Sequence, residues 1–147
     1  MGQHLAATAL KVGYLHGEIP QSDRKQVLNR FRDGKLQVLV ATDVAARGLD
    51  VSDVDLVINY TVAHSGDDHV HRVGRTGRAG KQGKAVTLVN HIDWNKNSSI
   101  ERYLKIRFEL RWVKGLKAAY TGPAKLKKSG KAAGTRKKAR KPVVSKS

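Results

Sequence analysis

The six residues Leu36–Ala41, LQVLVA, form an almost unbroken apolar run, and a polar string beginning Thr42-Asp43 follows at once. A continuous run of β-branched residues and leucine marks a strand covered on both faces, the condition of a strand inside a parallel sheet. Val54–Tyr60 (VDLVINY) and Ala85–Val89 (AVTLV) have the same character. Helical spacings lie between and around them. Pro20–Arg32 places Val27, Leu28 and Phe31 on one face and is closed by Gly34. Asp67–Gly77 reads as a polar helix. Asp93 is suited to cap a helix that continues to about Trp112, on which Trp94, Tyr103, Phe108 and Trp112 would pack against the body. At the amino end, His4–Val12 reads as part of a helix and Val12–Leu15 as a short apolar run ended by His16-Gly17. Strands alternating with helices at this spacing predict an α/β fold, a parallel sheet with flanking helices.

Charge divides the chain in two. The formal net charge is +17 over 147 residues, yet residues 1–109 carry 16 lysines and arginines against 12 acids. Residues 110–147 carry 13 lysines and arginines and no acid. We therefore expect one domain over 1–112 and a basic tail over 113–147, too poor in large apolar side chains to offset the entropy of ordering. A polyanion is the natural partner of such a tail, because each phosphate it neutralises releases condensed counterions. No apolar run approaches the length of a membrane span, so no membrane partner is expected. Cysteine is absent, and His4, His64, His69 and His91 lack metal-ligand spacing, so no metal site is expected. The expected address is cytoplasmic.

Two clusters carry the chemistry. The first, Val40-Ala41-Thr42-Asp43-Val44-Ala45-Ala46-Arg47-Gly48-Leu49-Asp50, leaves a buried strand directly. Ligands of parallel sheets bind at the carboxyl ends of strands. A hydroxyl, a carboxylate, a guanidinium and a glycine placed there suit a sugar-phosphate chain. The same string also fits a plain strand-to-helix loop capped by Thr42 or Asp43. The second cluster is His71-Arg72-Val73-Gly74-Arg75-Thr76-Gly77-Arg78. In a helix, Arg75 and Arg78 share a face. Two guanidiniums aimed at one point match the charge that spreads over a phosphoryl group in flight. A solvated basic helix is the alternative, although glycines alternating with arginines are poor helix formers.

These strings resemble motifs V and VI of the DEAD-box ATP-dependent RNA helicases of superfamily 2. His16-Gly17 and Gln21-Ser22-Asp23-Arg24 resemble the family's HG and QxxR elements, and Phe31 with Gly34 its FxxG. Val57-Ile58-Asn59-Tyr60 resembles its INYD strand, with Thr61 in place of the aspartate. The likeness covers about residues 5–92. Ser65-Gly66 and Arg102-Tyr103 resemble the bacterial SrmB-type members, associated with large ribosomal subunit assembly.

The resemblance implies a RecA-like carboxy-terminal domain that closes with an amino-terminal one over ATP and bends RNA. It implies arginine fingers at Arg75 and Arg78, with His71 and Arg72 linking motif VI to the amino-terminal domain and the nucleotide site. It implies nucleotide contacts at Asp50 and Gly48. RNA contacts fall at Thr42, Asp43, Arg47, Arg24 and Gly17. Contacts to the backbone fix position without reading sequence.

Some of the family pattern is absent. No GxxxxGK[ST] loop occurs to cradle phosphates, and no DEAD sequence occurs to hold magnesium. The chain alone is not expected to hydrolyse ATP; magnesium would be held by the amino-terminal domain. The strand that should precede His4–Val12 is also absent, and a sheet lacking an interior strand leaves backbone groups unpaired, so poor stability is expected. A non-enzymatic RNA-binding or ribosome-assembly protein and a non-functional gene fragment are the alternative readings.

Overall fold

Parallel pairing between two four-residue strands organises the first half of the chain. In the computed structural model, β1 (Val12–Leu15) and β2 (Val38–Ala41) run in register from Val12 opposite Val38 to Leu15 opposite Ala41. The structure describes residues 9–46, 48–51, 53–77, 82–111, 115, 120 and 122–133. Between the two strands lies helix α1 (Gln21–Arg32), entered through Pro20 and left through Asp33 and Gly34. Pro20 has the fixed φ of a helix start and no N–H to lose. Asp23 in the first turn and Arg30 and Arg32 in the last complement the helix dipole.

A short helix, α2 (Asp43–Ala46), follows β2 directly. Strand β3 (Leu56–Asn59) pairs with β4 (Lys84–Thr87) in a second two-stranded sheet, with α3 (Gly66–Val73) between them in sequence. The last helix, α4, covers Trp94–Leu104. The described residues thus hold the expected α/β order, drawn as two small sheets rather than one.

The described residues form two compact units, one drawn from residues 1–57 and 70–86 and the other from residues 58–69 and 87–147. In the first, Leu15, Ala45, Leu49 and Val51 are buried together, and Val27, Leu28 and Phe31 of α1 pack on them. This is the apolar stripe read from the sequence. At Gly13, in β1, side chains of α1 and of the segment after it come close. A Cβ there would stand 2.6 Å from Leu36 Cδ1 and 3.0 Å from Val27 Cγ1. In the second unit, Val62, Ala63 and Ile100 form the buried cluster, covered by Val89, Leu104 and Phe108.

Several boundaries differ from expectation. The helix expected over Asp67–Gly77 ends at Val73, so Arg75 stands in the turn beyond it and not on the helical face on which it was expected to stand with Arg78. Residues 4–8 of the expected first helix lie outside the described residues, and Val12 belongs to β1. The Lys11 carbonyl accepts N–H groups from Gln37 and Val38, which extends the ladder where a helix was expected. Helix α4 stops at Leu104, well short of Trp112, which itself lies outside the described residues. Lys105 takes a left-handed conformation, with φ of 56°, and Ile106 donates back to the Glu101 carbonyl. These are the marks of a helix stop. The chain then turns so that Phe108 returns to the core, and its N–H is accepted by the Glu101 carboxylate at 3.0 Å.

Residues 122–133 fall in the stretch expected to lack order. There, Leu126 and Ala132 form an antiparallel bridge, and Gly130 is held against α4. Residues 134–147 lie outside the described residues.

Gly66 opens α3 beneath the ring of Tyr103, which a Cβ on Gly66 would overlap. The Tyr103 hydroxyl donates to Asp67 at 2.6 Å.

Replacing Gly13 by Val should cost about 1–3 kcal/mol of stability through overpacking; an unchanged urea midpoint would remove the close approach of α1. The Tyr103 phenol should ionise above the ordinary value of 10.0, because its hydrogen bond to the Asp67 carboxylate, and then the carboxylate's charge, favour the neutral form. Its stabilising effect is complete below that value and is lost as the pH rises past the raised one. Ultraviolet titration of the parent chain minus that of Tyr103→Phe isolates this group. The midpoint should fall in Asp67→Asn.

Candidate functional site

The carboxyl end of β2 delivers its residues straight into a network of main-chain and guanidinium bonds. The Thr42 N–H reaches the Leu15 carbonyl at 3.1 Å, continuing the β1–β2 ladder by one bond. The Thr42 carbonyl accepts the Ala46 N–H at 2.8 Å, and its hydroxyl accepts the Ala45 N–H at 3.4 Å. Thr42 is therefore the cap of α2 as well as the first polar residue past the strand, as either reading of the sequence allowed.

Asp43, next in line, points its carboxylate at motif VI. Arg72 Nη2 lies 2.6 Å from Asp43 Oδ2, and the Arg72 side chain is only 15% exposed. Two residues singled out separately for ligand contact are thus joined to each other, across 29 residues of sequence. Arg75 makes the second link. Its Nη1 donates to the Leu49 carbonyl at 2.6 Å, and its own carbonyl accepts the Val54 N–H at 3.1 Å. Arg24 of α1 makes a third, with Nη2 on the Ala45 carbonyl at 2.7 Å. Sequence-distant cations therefore hold the loop that follows β2 at three successive points.

The remaining candidates are more open. Gly48 has φ of +67° and nothing within 4 Å of the place a Cβ would take, so backbone geometry rather than crowding requires glycine. Gly17 sits in an exposed turn with equal space. His71 is exposed in the last turn of α3. Asp50 is exposed; Arg32 donates to its carbonyl through Nε at 3.0 Å and through Nη2, and pairs with Oδ2 at 3.1 Å. Thr76 and Gly77 lie so close to Gly83 that a Cβ on Gly83 would overlap them, which closes the end of motif VI. Arg47 and Arg78 lie outside the described residues.

Between α1 and residues 48–50 is an open cavity of about 410 Å³, lined by Gln21, Arg24, Lys25, Leu28, Asn29, Arg32, Gly48, Leu49 and Asp50. Lys25, Asn29 and Arg32 belong to none of the sequence motifs. The signal was available: Gln21, Arg24, Lys25, Leu28, Asn29 and Arg32 recur at three- and four-residue steps, one stripe of α1. Three cations on that stripe, with polar neighbours and an exposed carboxylate opposite, suit a phosphate-bearing ligand that also offers hydroxyls. No group of three metal-ligating side chains occurs among the described residues, and none of their helices is long and apolar enough to cross a membrane.

A double-mutant cycle on Asp43→Ala and Arg72→Ala should give a coupling of about 1–2 kcal/mol in unfolding free energy, the range of a charge-assisted bond with one partner largely buried. A coupling below about 0.3 kcal/mol would place the two side chains apart in solution.

Residues 2–80 match the helicase conserved C-terminal domain family. Among curated relatives, the ATP-dependent RNA helicase DBP8 of Meyerozyma guilliermondii is 46% identical over 101 residues, 69% of this chain and 23% of the relative. The RNA helicase CrhR of Synechocystis is 50% identical over 95 residues, 65% of this chain and 19% of the relative. The chain thus spans about a quarter or less of the length of these relatives. Among solved structures, E. coli SrmB bound to the regulator of ribonuclease activity A superposes with a TM-score of 0.78 at 37% identity, over 84% of this chain and 73% of that one. The carboxy-terminal domain of Dbp5 gives 0.62 at 33% identity, over 69% and 61%. The α/β order, the linked motifs and these likenesses agree: the chain belongs to the helicase conserved C-terminal domain family, as the RecA-like carboxy-terminal domain of a DEAD-box RNA helicase.

Proposed function

We propose that this chain is the catalytic partner half of an ATP-dependent RNA helicase, supplying arginine fingers and part of the RNA surface for local duplex unwinding. The observation that carries this reading is the double hold on Arg75, whose side chain bonds Leu49 and whose carbonyl bonds Val54, on either side of Asp50. A guanidinium has five N–H donors, so the bond to Leu49 sets its position without exhausting it. Arg75, and Arg78 three residues on, would be presented towards a nucleotide gripped by an amino-terminal domain. The exposed Asp50 carboxylate would accept from a ribose hydroxyl. Arg72 and Gly48 would border the same nucleotide, and His71, exposed on the same helix, would face the other domain.

These residues fit the outer half of an ATP site and not the inner half, since no phosphate-cradling loop occurs in the chain. ATP, with magnesium held by the amino-terminal domain, would supply a γ-phosphoryl group whose charge spreads as it leaves; fixed guanidiniums stabilise that charge. On the RNA side, Thr42, Asp43, Arg47, Arg24 and Gly17 would follow the backbone of a single strand. Asp43 would act there through its hold on Arg72 as much as by direct contact. Contacts of this kind are independent of sequence and sensitive to salt. Structured RNA, ribosomal RNA included, is the substrate class that the basic carboxy-terminal segment favours, in the cytoplasm.

Mixing the chain with a separate amino-terminal domain should restore RNA-stimulated ATP hydrolysis. In that reunited enzyme, Arg78→Ala should lose about 10³-fold in turnover, as for an arginine finger. A loss under about tenfold would assign Arg78 a structural role.

A further inference from the structure

Helix α4 has two working faces. Ile100 and Leu104 turn inwards to the Val62–Ala63 cluster. Trp94, Asn95, Ser98 and Arg102 recur at one-, three- and four-residue steps along another side, and all four bond the segment that returns from the carboxy end. Trp94 Nε1 and Ser98 Oγ both donate to the Gly130 carbonyl, at 3.2 and 2.9 Å. Arg102 Nη1 donates to the Ser129 carbonyl at 2.8 Å, and Asn95 Oδ1 accepts the Ala132 N–H at 2.7 Å. Ser98 is 2% exposed, and Gly130, with φ of +78°, is buried against it. A hydroxyl and an indole N–H converging on one buried carbonyl are a specific fastening, because leaving that carbonyl unpaired would cost about 1–3 kcal/mol.

The fastened segment is a short antiparallel arm. Leu126 stands opposite Ala132, the Lys127 N–H reaches the Lys131 carbonyl at 2.8 Å, and the Ala133 N–H reaches the Lys125 carbonyl at 2.9 Å. Side chains alternate between the two faces of paired strands. Leu126 and Ala132 therefore take one face, and Lys125, Lys127 and Lys131 take the other. Lys127 and Lys131 are directly opposed, at the spacing where like charges destabilise a pair of strands. No acid follows Glu109 in the sequence. Arg107, paired with Glu101 at 3.4 Å, also stands beside Gly130: its Nη1 lies 3.0 Å from the place a Cβ on that glycine would take.

We infer that the arm of residues 125–133 is a preformed cationic ledge for the phosphate backbone of RNA, held in shape by α4 before RNA arrives. This rests on the RNA-binding part of the proposed function and deepens it. A repulsive lysine pair maintained by backbone bonds and by four side chains of a helix is a device that an anionic ligand completes. Lysine ammoniums are point charges without a planar fork, so the ledge suits a regular phosphate track rather than a particular base sequence. The ordering cost of the arm is met on folding, and binding gains accordingly.

The test measures binding of the whole chain to a mixed-sequence RNA hairpin across a salt series, without nucleotide or an amino-terminal domain. Lys125→Gln/Lys127→Gln/Lys131→Gln should lower affinity about tenfold or more and reduce the log–log salt slope by about 2–3. Lys137→Gln/Lys138→Gln/Lys141→Gln removes the same charge further along and should do less. Trp94→Phe/Asn95→Ala/Ser98→Ala keeps every charge and removes three of the four side-chain bonds that fasten the arm; it should weaken binding several-fold. Equal losses from the two triple variants, or full affinity in the unfastened one, would reduce the segment to a generic polycation and overturn the inference. Should the unfastened variant unfold in circular dichroism, the comparison of the two lysine triples still decides. RNA binding that ignores all three variants would likewise overturn it. Because no ATP is present, failure here is distinct from failure of the arginine-finger reading.

Discussion

The ladder between β1 and β2 ends on a bond from Thr42 N to the Leu15 carbonyl, and the candidate site hangs from that bond. It fixes where the apolar strand gives way to polar residues, and so fixes which side chains stand at the strand's carboxyl end. One residue earlier or later, Asp43 would not face Arg72. The ladder itself depends on α1 lying close over β1, which Gly13 permits. Core packing and site geometry are therefore one problem here: Val27 of α1 packs close over Gly13, and α1 carries Arg24, Lys25 and Arg32 to the cavity rim.

The fold class was legible because apolar runs alternate with helical spacings. LQVLVA contains β2 as expected, yet that strand is half-buried in a two-stranded sheet rather than covered on both faces, and β4 is mostly exposed; Val27, Leu28 and Phe31 met the core as their spacing required. Ends were less legible. Nothing in the composition of residues 94–112 forbids a longer helix; it stops because Lys105 adopts a left-handed turn so that Phe108 can reach Val62 and Ala63. That decision belongs to tertiary packing. The bridge at Leu126–Ala132 was hidden for the same reason. A lysine-rich segment looks solvated until Trp94 and Ser98 are known to point at Gly130.

For the site, residue types were readable and pairings were not. Asp43 and Arg72 each suggested a ligand, and the structure bonds them to one another. No periodicity relates positions 29 apart. The SrmB-like dipeptides tell a similar story from the other side: Ser65-Gly66 and Arg102-Tyr103 were noted as separate points of likeness, and Gly66 proves to lie under the Tyr103 ring. What looked like two lineage marks is one contact, since the ring and a side chain on residue 66 cannot coexist.

The segment from Leu49 to Val54 closes on a single residue at both ends, through the Arg75 guanidinium and the Arg75 carbonyl. Asp50 lies between those two anchors and is itself gripped from α1 by Arg32. Losing Arg75 would thus free the main chain on both flanks of that carboxylate at once, while losing Arg32 would free Asp50 alone.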